Sequence, residues 1–335
     1  MLETIISNYV MRYLKEYLKP LDPGQLELDV LQGTIQIKNL QLLSTALTLH
    51  QIPFIIRKGC IKYVKVIFPW NNLKNAACDI QAEDLFLVLQ FESNIILKSD
   101  IQADQKSIHL KSESFSLSHD DQVKIIHSIF ESVIDNLHIK IKNIHLRIEF
   151  PCDSKPIIIG ISIPEITFQT VDENGKPVHS IQHPKFVRKE LTIKDFSIYF
   201  DTSEDMMDIK DDEEFSCASE SIQSFTETMT KMMSQSHQYL FKPTVFKSLL
   251  IHTKDKSQKI TNQVKTTISE ISLNLDLPQS RSIIHLNFLW HQFLKRRKYT
   301  NCMRPTSFNK IDETWQFAHR CAILKSRPHV FKPYL

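Results

Sequence analysis

The stretch Gly33-Thr-Ile-Gln-Ile-Lys-Asn-Leu-Gln-Leu-Leu43 decides how the rest of the chain is read. Ile35 and Ile37 alternate with polar neighbours, so they share one face of a pleated strand. Lys38 and Asn39 then stand side by side, and apolar positions resume out of phase at Leu40 and Leu42. A two-residue polar step inside an alternating strand is the sequence form of a β-bulge. The pattern returns at Ile139–Leu146 (IKIKNIHL) and at Leu191–Ile198 (LTIKDFSI). Each step is expected to set two residues against one on the neighbouring strand, and to bend the strand that carries it. The competing explanation is that a helix buries one end of each strand on the opposite face, with no bulge.

Strand patterns working outward from this motif cover Leu26–Leu31, Thr34–Leu42, Ile61–Trp70, Asp84–Phe91, Leu137–Phe150, Ile157–Ile163, Glu165–Val171 and Leu191–Phe200. Weaker patterns lie near 95–101 and 107–117, and strand signals resume at Phe246–His252, Val264–Ile268 and Ile271–Leu277. Pro69 ends its strand, since it cannot donate to a ladder, and Asp172–Lys176 (DENGK) reads as a turn.

Helical spacing marks residues 1–19, where Leu2, Ile5, Ile6, Tyr9, Val10, Tyr13, Leu14, Tyr17 and Leu18 form one face before Pro20. That helix can lie on a membrane or plug an end of the sheet. Further helices are expected near Ser44–His50 and at Val123–Asn136, Glu220–Tyr239, Ile283–Lys295 and Trp315–Leu324. The methionines of the fourth, Met229, Met232 and Met233, read as ordinary core rather than a docking face.

About eleven strands at ~4.8 Å spacing make a sheet roughly 50 Å across, more than these helices can cover. The fold class is α+β: a large, strongly curved, mainly antiparallel sheet that either folds on itself as an ordinary core or leaves its apolar face as an open hydrophobic groove, with a few helices packed at the ends and outside. Three regions are expected: a groove domain over 1–200, an acidic loop and polar helix over 201–240, and a continuation of the sheet with basic helices over 241–335.

Composition excludes several chemistries. The 335 residues hold five glycines and no Gly-x-Gly-x-x-Gly or Gly-Lys-Ser/Thr, which removes Rossmann and P-loop readings. No nucleophile elbow appears, and no carboxylate pair is singled out for acid–base work, so the chain does not read as an enzyme. The six cysteines form no CxxC and read as reduced thiols of the cytosol. His179 and His183 are spaced i, i+4 but lack a third ligand nearby, and the acidic run lacks calcium-loop spacing; neither metal nor cofactor is expected. The net charge of +3 is unevenly spread. Asp201–Glu214 carries eight acids against Lys210 alone and reads as a solvated loop. Ser282–Leu335 carries ten Lys or Arg against Asp312 and Glu313, without any nucleic-acid-binding motif.

At this point the residues resemble a known family. The first 42 residues, Gly59–Leu73 (GCIKYVKVIFPWNNL), Asn136–Phe150 (NLHIKIKNIHLRIEF), Gly160–Pro177 (GISIPEITFQTVDENGKP) and Phe293–Pro305 (FLKRRKYTNCMRP) fall in the expected order. Together they are similar to the N-terminal, chorein region of the vacuolar protein sorting branch of bridge-like lipid transfer proteins. One departure is Lys62, where a second glycine is usual. The resemblance implies a half-pipe with a hydrophobic floor that carries glycerophospholipids between organelles at contact sites. It also implies peripheral attachment to the cytosolic face of membranes, with this end near the endoplasmic reticulum and organelle adaptor proteins as partners. Members of the family are usually far longer than this chain. A non-lipid scaffold or a tether without transfer is the alternative.

The expected groove lining is Ile35, Ile37, Val64, Val66, Phe68, Leu85, Leu87, Leu89, Ile139, Ile141, Ile161 and Ile163. Leu2, Ile5, Ile6 and Tyr9 are expected at the membrane end. The energetics set the requirement: a two-chain lipid with about 30 methylenes needs roughly 24 kcal/mol of replacement burial on leaving a bilayer. Only a continuous apolar lining supplies that.

Overall fold

The computed structural model describes residues 17–20, 24–29, 33–44, 46–47, 52–67, 77–92, 135–152, 155–178, 186–202, 204–209, 218–253, 262–300 and 311–326. Nine strands form one open sheet in sequential order: β1 (Leu26–Asp29), β2 (Thr34–Gln41), β3 (Phe54–Ile67), β4 (Cys78–Phe91), β5 (Leu137–Phe150), β6 (Ile157–Thr170), β7 (Phe186–Asp201), β8 (Tyr239–Thr253) and β9 (Asn262–Ile268). β4 and β5 run parallel, which the long connection between them permits. The pairs β1–β2, β2–β3 and β5 through β9 are antiparallel. Three helices are described: α1 (Ala218–Met233), α2 (Leu277–Thr300) and α3 (Ile311–Ser326).

The chain divides into two compact units. The first comprises Met1–Ala46, Ile56–Gln90 and Ser112–Asp276; the second comprises Leu47–Ile55, Phe91–Lys111 and Leu277–Leu335.

Several boundaries differ from the sequence reading. β3 begins at Phe54, earlier than expected, because Phe54, Ile55 and Ile56 are apolar on both faces and blur the alternation. β4 begins at Cys78 because the change of phase at Asp84 separates Cys78, Ile80 and Ala82 from the run that starts at Leu85. Ile157–Ile163 and Glu165–Val171 are one strand, β6, running through Pro164. Proline is tolerated there because Ser162 pairs with Ser197 and Glu165 with Lys194, and Pro164 itself makes no ladder pair with β5 or β7. Ile271–Leu277 is not a strand: residues 270–276 are irregular apart from a bridge between Leu273 and Phe241.

The acidic run is not simply a solvated loop. Asp201 and Met207 are buried, and Glu204 accepts a 2.8 Å hydrogen bond from Arg147. The rest of the run, 210–217, lies outside the described residues. So do Leu2, Ile5, Ile6, Tyr9 and Phe68, the expected weaker strands, most of the helix at 123–136, and His179 and His183.

Among the described residues, three of the four non-glycine residues with positive φ are the second residues of the steps read from sequence: Asn39 (53°), Asn143 (55°) and Asp195 (51°). The fourth is Asp84 (57°). Asn and Asp are the L residues that enter this left-handed region most readily. Two-against-one pairing, however, occurs at only one of the three steps. Between the pairs Ile193–Phe246 and Phe196–Thr244, β7 advances one residue more than β8. At Asn39 the register is unbroken, since Ile37 pairs with Val64 and Leu40 with Ile61. At Asn143 it is likewise unbroken on both sides of β5. The bulge expectation is corrected accordingly. Both partners pass through the irregular step together, so each changes phase and neither gains a residue on the other.

The change of phase is visible in packing. Leu26, Ile35, Ile37, Leu40, Leu42, Ile61, Val64 and Leu18 form one hydrophobic cluster. Ile37 and Leu40, three residues apart, therefore point to the same side, as do Ile61 and Val64. Leu18 bridges Leu42, so the end of the first expected helix packs on this face of the sheet.

Candidate functional site

Following the pairs across the sheet assigns every strand a face. Built on Gly59, a Cβ would lie 2.9 Å from Leu42 and 2.7 Å from Leu87, which joins β2, β3 and β4 on one side. Leu85, Leu87 and Leu89 pair with Ile144, Leu146 and Ile148. Those three pair with Ile163, Ile161 and Ile159, and Ile161 and Ile159 pair with Ile198 and Phe200. Before the step, Ile80 and Ala82 pair with Ile139 and Ile141, which pair with Phe168 and Ile166, and these with Leu191 and Ile193. Phe196, Phe241 and Phe246 extend the row onto β8 as a cluster of rings 5.6 to 6.1 Å apart.

Most side chains of this face are only half-buried, whereas Leu18, Ile37, Leu40, Ala82, Leu89 and Phe200 are buried. The structure places the eleven described groove candidates, Ile35, Ile37, Val64, Val66, Leu85, Leu87, Leu89, Ile139, Ile141, Ile161 and Ile163, on this one side. The expected lining left out Ile144, Leu146 and Ile148, which a simple alternation through Asn143 would put opposite, and Ile159, which alternates with Ile161 and Ile163 on β6.

The other face is polar and open to solvent along the steps, and apolar and covered beyond them. Along the steps it carries ion pairs: Lys38–Glu27 at 2.6 Å, Lys142–Glu83 at 3.2 Å, and Glu165 with Lys194 at 2.6 Å and Lys140 at 3.6 Å. These lysines are half exposed, so each pair contributes at most ~1 kcal/mol. Lys62 is exposed, does not need a glycine's freedom, and sits 3.2 Å from Asp84. Beyond the steps α1 packs down, with Ile222, Phe225 and Met229 against Cys60, Phe86 and Val88. Burial pushes the Cys60 thiol up to about 11, so it is a packed, unreactive group.

Beside α1 lies a buried charged cluster. Arg147 donates to Glu149 at 2.9 Å, to Glu204 at 2.8 Å and to the Asp205 carbonyl at 2.9 Å. Arg57 reaches Glu149 at 3.1 Å, and the Met207 amide donates to Glu149 at 2.8 Å. The cluster clamps the acidic segment to the sheet. Next to it, His237 donates to Asp201 at 2.8 Å and to the Met232 carbonyl at 2.8 Å, and its ring stacks on Tyr199 at 3.8 Å. Asp201, Glu204 and His237 are close enough to suggest a metal site among the described residues. Both His237 nitrogens, however, are already engaged, one by Asp201 and the other by the Met232 carbonyl, so neither is turned to a metal. Although burial opposes the charge, the bonds to Asp201 and Met232 raise its pKa. Arrangement and charge state make this an ion pair locking the end of α1 to β7.

At one end of the apolar face Lys189 is buried, bonded to the Leu137 carbonyl at 3.1 Å and to Thr170, with its ammonium over the Phe168 ring. Burial lowers its pKa to about 8. A lone lysine in a strand carries no sequence signal for such a place. No helix among the described residues is long and apolar enough to cross a membrane.

Against this geometry the comparisons are decisive on kinship. The VPS13-like family N-terminal region matches residues 1–331. The intermembrane lipid transfer protein VPS13 of Chaetomium thermophilum is 26% identical over 326 residues, covering 89% of this chain and 10% of that protein. VPS13A of Mus musculus is 25% identical over 63% of this chain and 7% of its own length. For vps13B of Dictyostelium discoideum the values are 26%, 84% and 5%. Those two are also named intermembrane lipid transfer proteins. The chain spans a tenth or less of the length of these relatives, and it belongs to the VPS13-like family, whose N-terminal region it matches.

Proposed function

We propose that the apolar face of the sheet holds the acyl chains of glycerophospholipids, and that the protein passes them between organelle membranes. The observation that carries this reading is the continuity of the face. Apolar side chains pair with apolar side chains from β4 to β7 on both sides of the steps, and they stay half-buried while α1 closes the other face. A half-exposed strip of this extent is unusual on a protein with no hydrophobic ligand. The three relatives, each named as an intermembrane lipid transfer protein, support the same reading. The lining proposed is the eleven described candidates with Ile144, Leu146, Ile148 and Ile159 added. Phe68, and the terminal residues Leu2, Ile5, Ile6 and Tyr9 as a membrane end facing the endoplasmic reticulum, belong to the proposal on sequence grounds alone. Peripheral attachment at contact sites follows from it, and organelle adaptor proteins are further partners in the same reading. The relatives are named for lipid transfer rather than for catalysis, which supports a binding role rather than an enzymatic one.

The test is native mass spectrometry of the purified chain together with liposome-to-liposome transfer of a fluorescent phospholipid. Co-purified two-chain lipid and transfer above the uncatalysed rate are expected. A delipidated protein that takes up no labelled lipid overturns the reading in favour of a scaffold.

A further inference from the structure

The second unit contains two helices whose apolar residues do not all turn inward. On α2, Phe293 is buried, and Gln279 near the same side is buried too. At 3.6 residues per turn, Leu277, Arg281, Ile284, Phe288, His291 and Lys295 fall together on the side opposite Phe293. All six are exposed, with Ile284 at 70% and Phe288 at 58%. α3 repeats the arrangement with Ile311, Trp315, Ala318, Ala322 and Lys325 on one exposed stripe, Trp315 at 72%. Such side chains are ordinary singly, but a run of them along one side of each of two helices is not.

Charge says what covers them. Arg281 and Lys295 lie within the α2 stripe, Lys325 ends the α3 stripe, and Ser282–Leu335 as a whole carries ten Lys or Arg against Asp312 and Glu313. A second copy of the chain meeting this surface across a two-fold axis would bring like charges together. An anionic bilayer surface matches both features: its headgroups pair with the cations, and tryptophan and phenylalanine settle at the headgroup–acyl boundary.

We infer that the outward stripes of α2 and α3 dock the protein on an anionic membrane surface, as a contact separate from the apolar face of the sheet. The inference shares with the functional proposal only the premise that the protein meets membranes. Docking is measured separately from lipid loading, so either can fail while the other stands.

The experiment is flotation of the whole chain with phosphatidylcholine vesicles containing about a third phosphatidylserine, against phosphatidylcholine alone. The chain should float with the anionic vesicles and be released by high salt. Ile284→Asp with Phe288→Asp and Trp315→Asp should lower partitioning at least about tenfold. Arg281→Gln with Lys295→Gln should lower it about fivefold for each cation removed. Unchanged circular dichroism and unchanged bound lipid by native mass spectrometry would show the fold and the sheet's apolar face intact. Equal flotation of all variants overturns the inference. So does a concentration-dependent dimer of the parent chain that the Asp variants abolish, because the stripes would then be an interface between copies.

Discussion

Asn143 donates a 2.7 Å hydrogen bond to Asp84 across the parallel β4–β5 pair, and both residues stand in the left-handed region. The pair sits where the strands change phase, between Glu83–Lys142 on one side and Leu85–Ile144 on the other. Losing it would release two strained backbones at once. Asn143→Val should therefore destabilise by about 2–3 kcal/mol, combining the left-handed penalty with the lost hydrogen bond. Asn143→Gly should cost about 1 kcal/mol, since glycine accepts the conformation. Urea unfolding of the two variants distinguishes them; equal losses would mean that the backbone conformation does not matter.

Deleting Asn143 asks a different question. With the step gone, Ile144, Leu146 and Ile148 would turn to the α1 face and His145, Arg147 and Glu149 to the apolar one. The expected result is a large fall in bound phospholipid by native mass spectrometry together with loss of the Arg147–Glu149 clamp. Unchanged loading would show that the step does not organise the apolar face.

Gly160 faces Tyr199 across β6 and β7. A Cβ at Gly160 would stand 1.8 Å from the Tyr199 ring, which is itself fully buried. Gly160→Ala should cost about 3 kcal/mol through overpacking. Tyr199→Leu should relieve part of that cost in the double variant, giving a favourable coupling in a thermal or urea double-mutant cycle. Strict additivity would place the strain elsewhere.

How far the sequence carried the reading depended on the kind of signal. The steps at Asn39, Asn143 and Asp195 were legible because Asn and Asp interrupt an otherwise alternating strand. Ala82-Glu83-Asp84-Leu85 has the same grammar with the charge reversed, and it went unread because Glu stands where the other copies have Lys. Pairing explains the exchange, since Glu83 meets Lys142 on the neighbouring strand. Conserved register at Asn39 and Asn143 could not be read from one strand, because it depends on what the partner strand does at the same level. The clamp on the acidic segment was illegible for a related reason. Arg147 and Glu149 alternate with Leu146, Ile148 and Phe150 as solvent-facing residues do, and nothing local shows that residues 204–209 fold over them.

Two histidines on the α1 face give the fold opposing pH dependences. Burial, reinforced by the neighbouring His237 cation, lowers the His145 pKa to about 4, and its Nε2 is 2.9 Å from the Tyr199 hydroxyl. Below its unfolded pKa near 6.5, the unfolded chain binds a proton that folded His145 refuses. Stability therefore falls as pH drops from about 6.5 to 4, by an order of 3 kcal/mol. His237 has the opposite sign: its raised pKa contributes stability that is full below 6.5 and is lost as pH rises through the folded value. His145→Gln should flatten the acid side of a urea-stability profile, and His237→Gln should remove the loss on the neutral side. Profiles unchanged by both substitutions would show that neither ring titrates differently on folding.

Neighbouring residues on β4 test the division of labour between the two faces. Phe86 is fully buried under α1 with Cys60 and Val88, whereas Leu87 is half-buried on the apolar face between Leu146 and Gly59. A carboxylate at Phe86 would sit in the core without a partner, so Phe86→Asp should cost more than 4 kcal/mol and leave the chain unfolded. At Leu87 the same charge can reach water, and the loss is that of a partly buried leucine, about 1–2 kcal/mol. Leu87→Asp should therefore keep a cooperative unfolding transition while bound phospholipid drops severalfold, because the charge interrupts the strip that acyl chains must follow. Leu146→Asp, its neighbour across the parallel pair, should behave as Leu87→Asp does. A folded Leu87→Asp protein with its full complement of lipid would mean that the acyl chains do not lie along this face.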